Sequence, residues 1–142
     1  MAKLAIMCGL PRSGKTTLAK RLERDGWVCV CPDDIRLALH GQPFVKEAES
    51  SVWAIVWTRA HTLLQGDHMV LIDATNLTKK SRSSWRKLAE EFGLDLDIYL
   101  VETPFEVCLE RNTGTGAVPE DVLRRMNEIY QRPTESEGRI IF

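Results

Sequence analysis

Residues Gly9 to Thr16 read Gly-Leu-Pro-Arg-Ser-Gly-Lys-Thr, which fits the phosphate-binding pattern G-x-x-x-x-G-K-[ST]. An apolar run at 4–8 precedes it and predicts a buried parallel strand. Leu18 and Leu22 follow it four residues apart, which predicts a helix with one apolar face. A chance match on a glycine-rich turn is the alternative, and the flanking strand and helix argue against it. The segment therefore indicates a domain that binds a nucleoside triphosphate.

The residue types of this loop suit phosphate and magnesium. Gly9 and Gly14 are expected to adopt positive φ, so that successive backbone N–H groups converge on an anion. The N-terminus of the following helix adds a partial positive charge, Lys15 adds a full one, and the Thr16 hydroxyl is a candidate Mg²⁺ ligand. The predicted nucleotide-binding residues are Gly9, Leu10, Pro11, Arg12, Ser13, Gly14, Lys15, Thr16 and Thr17.

Length and composition predict a single domain over 1–142, because 142 residues at 44% hydrophobic content suffice for one core. The formal net charge of −1 predicts that any contact with nucleic acid is local rather than driven by bulk charge. No run reaches the about 20 apolar residues that cross a bilayer, and we expect the N-terminus to begin the fold without a signal peptide. We therefore expect a cytoplasmic protein with no membrane contact and no fixed protein partner.

Cysteine usage favours free thiols. The chain has four cysteines, Cys8, Cys29, Cys31 and Cys108. None belongs to a C-x-x-C pair, and three of the four lie in or beside apolar, strand-like runs. Buried thiols in a reducing compartment are the expected state, and zinc is not indicated.

Strands and helices alternate along the chain, which predicts an α/β fold with a mostly parallel sheet of about five strands and helices on both faces. After the first strand, the predicted strands cover 27–31, 69–72, 96–101 and 138–142, with the last at an edge. Helical segments are predicted near 16–25, 47–65, 80–92, 104–111 and 119–131, with Pro104 and Pro119 in first turns. A Gly/Thr loop at 112–118 joins the last two helices, and 111–126 is predicted to be a small helical lid.

Two aspartates and an arginine directly follow the second predicted strand, in Asp33-Asp34-Ile35-Arg36. Open α/β sheets bind ligands at the carboxyl ends of their strands. A carboxylate placed there can accept a proton from an attacking hydroxyl, and Arg36 can clamp a phosphate. The alternative is that an aspartate N-caps the helix expected from Ile35 onward, and we expect one of the pair to do so.

Further polar residues are predicted at the same edge. Asp73 ends the third predicted strand, which is typical of a carboxylate near Mg²⁺. For Asn76 the sequence allows either a functional role or a role in capping or in a turn. Arg111, just before the Gly/Thr loop, is a candidate to reach over a triphosphate, and surface solvation is its alternative. Trp53 and Trp57, four apart, could stack on bases, but we favour the buried face of a helix.

Four blocks of the chain, in this order, resemble the kinase domain of phage-type polynucleotide kinases and the wider set of small P-loop kinases: Gly9–Thr17, Asp33-Asp34-Ile35-Arg36, Asp73-Ala74-Thr75-Asn76-Leu77, and Arg111-Asn112 with 117–126. The resemblance implies a P-loop NTPase fold that uses ATP and Mg²⁺, with the 5′-hydroxyl of DNA or RNA as acceptor. It implies that Asp33 is the general base and that Arg36 contacts the transferred or an adjacent phosphate. It also implies that Arg111 is a lid arginine embracing the donor phosphates.

The chain departs from the pattern of that family in three places. Arg12 occupies a position of the loop where the phage enzymes have a small residue, so its side chain could face solvent or add a phosphate contact. The lid at 113–116 is short and carries no second arginine, so Arg12, Arg124 or Arg125 would have to compensate. The chain ends at Phe142, so we expect kinase activity without the phosphatase that is often fused to such kinases.

The sequence thus predicts an ATP-dependent kinase with Lys15, Asp33, Arg36 and Arg111 as catalytic residues and Thr16 and Asp73 as metal ligands. A polynucleotide 5′-hydroxyl is the favoured acceptor. A small-molecule hydroxyl, on a sugar, nucleoside, antibiotic or nucleotide-sugar, is the first alternative, and the near-neutral charge favours it slightly. A nucleotide-binding module without transfer activity is the second. Asp33 separates enzyme from module, because mere binding requires no base beyond the second strand.

Overall fold

The computed structural model describes all of residues 1–142, and its chain forms a five-stranded sheet and six α-helices. The strands are β1 (Lys3–Cys8), β2 (Val28–Val30), β3 (Met69–Ile72), β4 (Leu96–Leu100) and β5 (Arg139–Ile141). The helices are α1 (Lys15–Arg24), α2 (Pro32–His40), α3 (Glu49–Gln65), α4 (Lys79–Glu91), α5 (Phe105–Arg111) and α6 (Glu120–Ile129). No helix combines the length and apolar character that a membrane crossing requires.

All strand pairs are parallel, in the order β2-β3-β1-β4-β5, which confirms the predicted α/β class and places the last strand at an edge. From β1 the chain continues to β2, which lies on one side of β1 in the sheet. Later, α4 connects β3 to β4, which lies on the other side of β1. Such a reversal of direction beside a central strand opens a crevice at the carboxyl ends of the strands. The loop Gly9–Gly14 lies at that edge, between β1 and α1.

Alternate residues of β1 face two cores, because successive side chains of a strand point to opposite faces. Leu4, Ile6 and Cys8 belong to the larger core, which α3 and α4 cover. Ala5 and Met7 belong to the smaller core, which α1 covers. Helices therefore lie on both faces of the sheet, as predicted.

The face that α3 buries recurs every four residues and consists of Val52, Val56, Ala60 and Leu64. Burying a side chain of valine or leucine size stabilises a fold by about 1.5–3 kcal/mol, so this face anchors α3 firmly. Trp53 and Trp57 pack against the same core, and the ring of Trp57 stacks on Trp85 at 4.4 Å between centroids. Both tryptophans thus have the packing role that we favoured over base stacking.

Several predicted boundaries are wrong by a few residues. The helix expected from Ile35 begins at Pro32, because proline fits the first helical position, where no N–H is needed. Cys31 therefore occupies the N-cap, and neither Asp33 nor Asp34 caps α2 as we had expected. Both carboxylates instead lie in its first turn, where the helix dipole favours negative charge. The prolines predicted in the first turns of α5 and α6 are the N-cap residues themselves.

Candidate functional site

The loop between β1 and α1 turns sharply through two left-handed residues. Gly14 has φ 105° and Arg12 has φ 67°. Gly9 does not adopt positive φ, so that expectation is wrong, but the position still requires glycine. A Cβ there would lie 2.9 Å from the Val101 carbonyl oxygen, so the residue's role is close approach to the chain after β4. Besides Gly14, the left-handed residue of the loop is thus an arginine, Arg12.

Neighbouring strand ends hold this loop in place. The backbone N–H of Gly9 donates to the Thr75 carbonyl beyond β3 at 3.1 Å. From beyond β4, the Thr103 hydroxyl donates to the Ser13 carbonyl at 2.6 Å. The loop is therefore fixed from both strands that flank β1. Sequence reasoning missed Thr103, because a lone threonine after a strand carries no local signal of such a contact.

Lys15 spans the loop. Its Nζ donates to the carbonyl oxygens of Gly9 at 2.7 Å and Leu10 at 2.9 Å. Burial lowers the pKa of Lys15 from 10.5 to about 8, although the nearby Asp73 carboxylate acts in the opposite direction. Burial likewise raises the pKa of Asp73, and the charge of Lys15 opposes that rise. The lysine and the aspartate that follows β3 therefore face one partly desolvated site.

On the other side of this site, Arg36 connects two carboxylates. Its Nη1 donates to Asp33 Oδ1 at 2.7 Å, while Nη2 and Nε donate to the two oxygens of Glu49 at 2.7 and 3.0 Å. The hydrogen bonds with Glu49 hold the pKa of Arg36 above its ordinary value. The side chain of Asp33 is 77% exposed, whereas those of Arg36 and Glu49 are 16% and 19% exposed. Glu49 thus holds Arg36 in place, and the Asp33 carboxylate that is bonded to Arg36 stays exposed to solvent.

Asp33 lies at the same edge of the sheet as the loop, because α2 begins directly after β2, which runs parallel to β3 and β1. Burial lowers the pKa of Lys15 and raises that of Asp73, and the charge of Asp33 weakly opposes the first shift and adds to the second. The structure therefore brings together residues that the sequence placed after separate strands. Sequence reasoning missed Glu49, which lies 13 residues from Arg36 on another helix. Only its place in the first turn of α3 distinguishes it, and that place alone indicates no ion pair.

The predicted lid lies against the loop through two arginines. Arg111 Nη1 donates to the Arg12 carbonyl at 3.5 Å, and Arg12 Nη2 donates to the carbonyls of Thr113 and Thr115 at 3.3 and 3.0 Å. Arg111 therefore lies beside the phosphate-binding loop, which is the position it needs in order to reach over a triphosphate. Arg12 faces neither open solvent nor the loop interior but the lid.

Arg124, which we considered as a substitute for a missing lid arginine, is engaged elsewhere. Its Nε contacts Glu120 Oε2 at 3.0 Å, and its guanidinium lies 5.6 Å from the centre of the Phe105 ring. These contacts hold it between α5 and α6.

Asn76 lies in a turn and stabilises it, which is one of the two roles that the sequence allows. It is buried with φ 45°, and its Nδ2 donates to the Met7 carbonyl at 2.7 Å, which ties the segment after β3 to β1. Its own carbonyl accepts from the buried Arg82 at 2.8 Å, and Arg82 also donates to Glu137 at 2.8 Å. Burial raises the pKa of Glu137, but hydrogen bonds from Arg82 and from the backbone of Thr134 outweigh it and hold that pKa low. Arg82 thus fixes the turn from α4, another contact without a local signal.

No group of three or more histidine, cysteine, aspartate or glutamate side chains is placed to hold a metal. Magnesium in phosphoryl-transfer sites takes few protein ligands and completes its shell with water and substrate phosphates. Thr16, exposed at the start of α1, and Asp73 could supply the hydroxyl and carboxylate that such a site uses.

A lysine-bearing phosphate loop at the carboxyl edge of a parallel sheet, with a helical lid against it, defines the class of P-loop kinase-type domains. The chain belongs to the AAA domain family, whose model matches residues 4–133. This match confirms the P-loop kinase resemblance of the sequence.

Individual relatives agree with that assignment. The chain is 24% identical over 143 residues to the bifunctional polynucleotide phosphatase/kinase of Schizosaccharomyces pombe, covering 96% of this chain and 31% of that protein. It is 32% identical to a chain of the Pnkp1/Rnl/Hen1 complex, with a TM-score of 0.72, covering 80% of this chain and 40% of that chain. The APS kinase CysC of Mycobacterium tuberculosis, at 24% identity, a TM-score of 0.66 and coverage of 93% and 83%, shares the fold. The chain thus spans less than half of the first two relatives.

Proposed function

We propose that this chain transfers the γ-phosphoryl group of ATP to a hydroxyl acceptor, and that the acceptor is the 5′-hydroxyl of a polynucleotide. The observation that carries the proposal is the exposed Asp33 carboxylate, which accepts a hydrogen bond from Arg36 at 2.7 Å and follows β2 at the same edge of the sheet as the loop. A module that only binds nucleotide requires no exposed carboxylate on the acceptor side of its loop.

The donor half of the site would act through charge and alignment, which is how proteins catalyse phosphoryl transfer. The loop amides and Lys15 would hold the β- and γ-phosphates, and Arg111 would contact the same phosphates from the lid. Thr16 and Asp73 would hold Mg²⁺, which neutralises developing charge when bound. Lys15 would exchange its two carbonyl partners for phosphate oxygens, and this exchange offsets part of the cost of its burial.

The acceptor half would act through Asp33 and Arg36. Asp33 would accept the proton of the attacking hydroxyl as its oxygen bonds to the γ-phosphorus and the bond to the β-phosphate oxygen breaks. Arg36 would hold Asp33 in position and contact the transferred or adjacent phosphate. Glu49 uses the only hydrogen of Arg36 Nε and one of the two on Nη2, and Asp33 uses one of the two on Nη1, so a phosphate contact would use the second hydrogen of Nη1 or Nη2.

The polynucleotide acceptor is supported by the four matching sequence blocks and by the names of the relatives, which include a polynucleotide phosphatase/kinase. A small-molecule hydroxyl acceptor is the second candidate. The formal net charge of −1 favours it, since proteins that bind polynucleotides usually carry basic surfaces.

Transfer of labelled γ-phosphate to a matched panel tests the proposal. The panel contains DNA and RNA oligonucleotides with a 5′-hydroxyl, the same oligonucleotides with a 5′-phosphate as controls, a nucleoside and a sugar. We expect label only on the 5′-hydroxyl oligonucleotides and loss of label with Asp33→Asn. Label confined to the nucleoside or sugar would favour the second candidate. Nucleotide binding without label on any acceptor would leave only the binding module.

A further inference from the structure

Arg12 is the one residue of the phosphate-binding loop whose side chain donates hydrogen bonds to a segment outside that loop. Its Nη2 donates to the carbonyl of Thr113 at 3.3 Å and to that of Thr115 at 3.0 Å. The side chain is partly buried, although it lies on a surface loop and arginines are mostly exposed. A guanidinium N–H₂ group has two hydrogens, so these two carbonyls use both donors of Nη2.

The backbone of Arg12 is also unusual. Its φ of 67° lies in the left-handed region, which disfavours residues with a Cβ and is adopted mainly by glycine, asparagine and aspartate. An arginine in this conformation persists only where surrounding contacts offset the strain. The contacts observed for this side chain are those with the lid.

The lid loop is shaped to receive this guanidinium. Asn112 closes the base of the loop, because its Nδ2 donates to the Val118 carbonyl at 2.7 Å and its Oδ1 accepts from the Val118 N–H at 3.0 Å. Gly116, with φ 82°, lets the chain pass the arginine, and a Cβ there would lie 3.6 Å from Nη2. The return contact from Arg111 to the Arg12 carbonyl adds a second link between loop and lid.

We propose that Arg12 is a positioning residue that fixes the lid loop, residues 113–117, against the phosphate-binding loop and thereby places Arg111. It acts on the donor site through the lid and not as a phosphate ligand. This explains how a short lid without a second arginine is held in place: the second arginine comes from the phosphate-binding loop and binds the lid backbone. The part of the proposal that concerns ATP rests on the proposed function, whereas the contact itself does not.

Amide hydrogen exchange of the protein without nucleotide tests the contact independently of activity. The N–H groups of Thr113, Ala117 and Val118 are hydrogen-bonded within the lid, so their exchange reports opening of this loop. Arg12→Asn removes the guanidinium and keeps a residue that tolerates positive φ. We expect exchange at these amides to rise about fivefold to tenfold, the effect of losing one or two hydrogen bonds, with strand amides unchanged.

Two further variants make the exchange result decisive. Asn112→Ala opens the base of the loop and should raise exchange at the Ala117 amide, which shows that the measurement responds. Arg21→Asn removes an exposed arginine of α1 and should leave the lid unchanged. If Asn112→Ala raises exchange and Arg12→Asn does not, the proposal is overturned.

Kinetics with Arg12→Lys distinguish a lid contact from a phosphate contact. Lysine binds phosphate well as a point charge, but its side chain ends one bond short of Nη2. We expect the KM for ATP to rise about fivefold in both Arg12→Asn and Arg12→Lys, with kcat within about twofold, as for a lost binding contact. Recovery of the wild-type KM by lysine would identify a phosphate ligand and overturn the proposal. Absence of transfer by the wild-type protein would instead count against the proposed function and leave the exchange result intact.

Discussion

The two halves of the proposed kinase site, the donor side around the loop and the acceptor side around Asp33, are held in different ways. On the donor side, the contacts run mostly to the main chain: Lys15 donates to two carbonyls of its own loop, and Arg12 donates to carbonyls of the lid. On the acceptor side, Asp33, Arg36 and Glu49 pair with one another through their side chains. Main-chain contacts depend on the fold, whereas the acceptor side depends on three particular residues. Substitutions should therefore affect the halves differently.

The largest effect is expected on the donor side. Lys15→Ala removes the positive charge that the loop would bring to the β- and γ-phosphates and should lower the rate of transfer on the order of 10³-fold, as for other lost charge contacts in a desolvated site. The fold should remain, because the removed contacts join only residues of the loop. Single-turnover transfer from ATP and the thermal unfolding midpoint measure the two effects. A rate within tenfold of wild type would contradict the role given to Lys15.

The next effect tests the acceptor side. Asp33→Asn keeps the size of the side chain but removes its basicity, so kcat should fall about 10²–10³-fold while ATP affinity stays nearly constant. Asp34→Asn is the matched control, since Asp34 lies in the same first turn of α2 and makes no ion pair with Arg36. It should leave turnover largely intact. The opposite ranking of the two variants would assign the base to Asp34.

Glu49→Gln tests whether the fixed arginine matters. The variant keeps one oxygen acceptor but loses the negative charge that holds Arg36, so kcat/KM for the acceptor should fall about tenfold. The KM for ATP should not change, because Glu49 contacts no residue of the loop. Glu47→Gln, an exposed acid two residues earlier, is the control. An equal rise in the KM for ATP would show that the two halves are not separable.

Titration of Lys15 should change ATP affinity by about the same factor as Glu49→Gln changes kcat/KM for the acceptor, or by less. Its pKa of about 8 lies below the ordinary 10.5 because burial disfavours the charged form, and bound phosphate should raise it. As pH rises from 7 to 9, the free protein loses the proton that binding requires, so ATP affinity should weaken about tenfold. The same depressed pKa means that folding stability rises with pH between about 8 and 10.5. Calorimetry in buffers of different ionisation enthalpy should detect proton uptake on binding, and uptake should be absent in Lys15→Ala.

The donor side could be predicted from the sequence far better than the acceptor side. The order of residues from Gly9 to Thr16 predicts both strand and helix, because a local pattern specifies a local conformation. Arg111 lies beside the loop, and its contact with the donor phosphates stays a prediction. The contacts of Glu49 and Thr103 could not be predicted, since their partners lie 13 and 90 residues away on other segments. The contact of Arg82 with the Asn76 carbonyl is closer in sequence, but no local pattern requires it. The direction of the Arg12 side chain could not be predicted for a similar reason: it depends on lid residues that are 101 and 103 positions away.

The smallest effect concerns Thr103, which holds the loop from the end of β4. Thr103→Val keeps the shape of the side chain but leaves the Ser13 carbonyl without its 2.6 Å hydrogen bond. One lost hydrogen bond of this kind corresponds to about a fivefold change, so the KM for ATP should rise by about that factor. Thr103→Ser restores the hydroxyl and should restore the KM, whereas Thr62→Val, on an exposed position of α3, should change nothing. Because Thr103 contacts the donor side alone, the KM for the acceptor should also stay constant. A rise in the acceptor KM would mean that the loop and the Asp33–Arg36–Glu49 group move together.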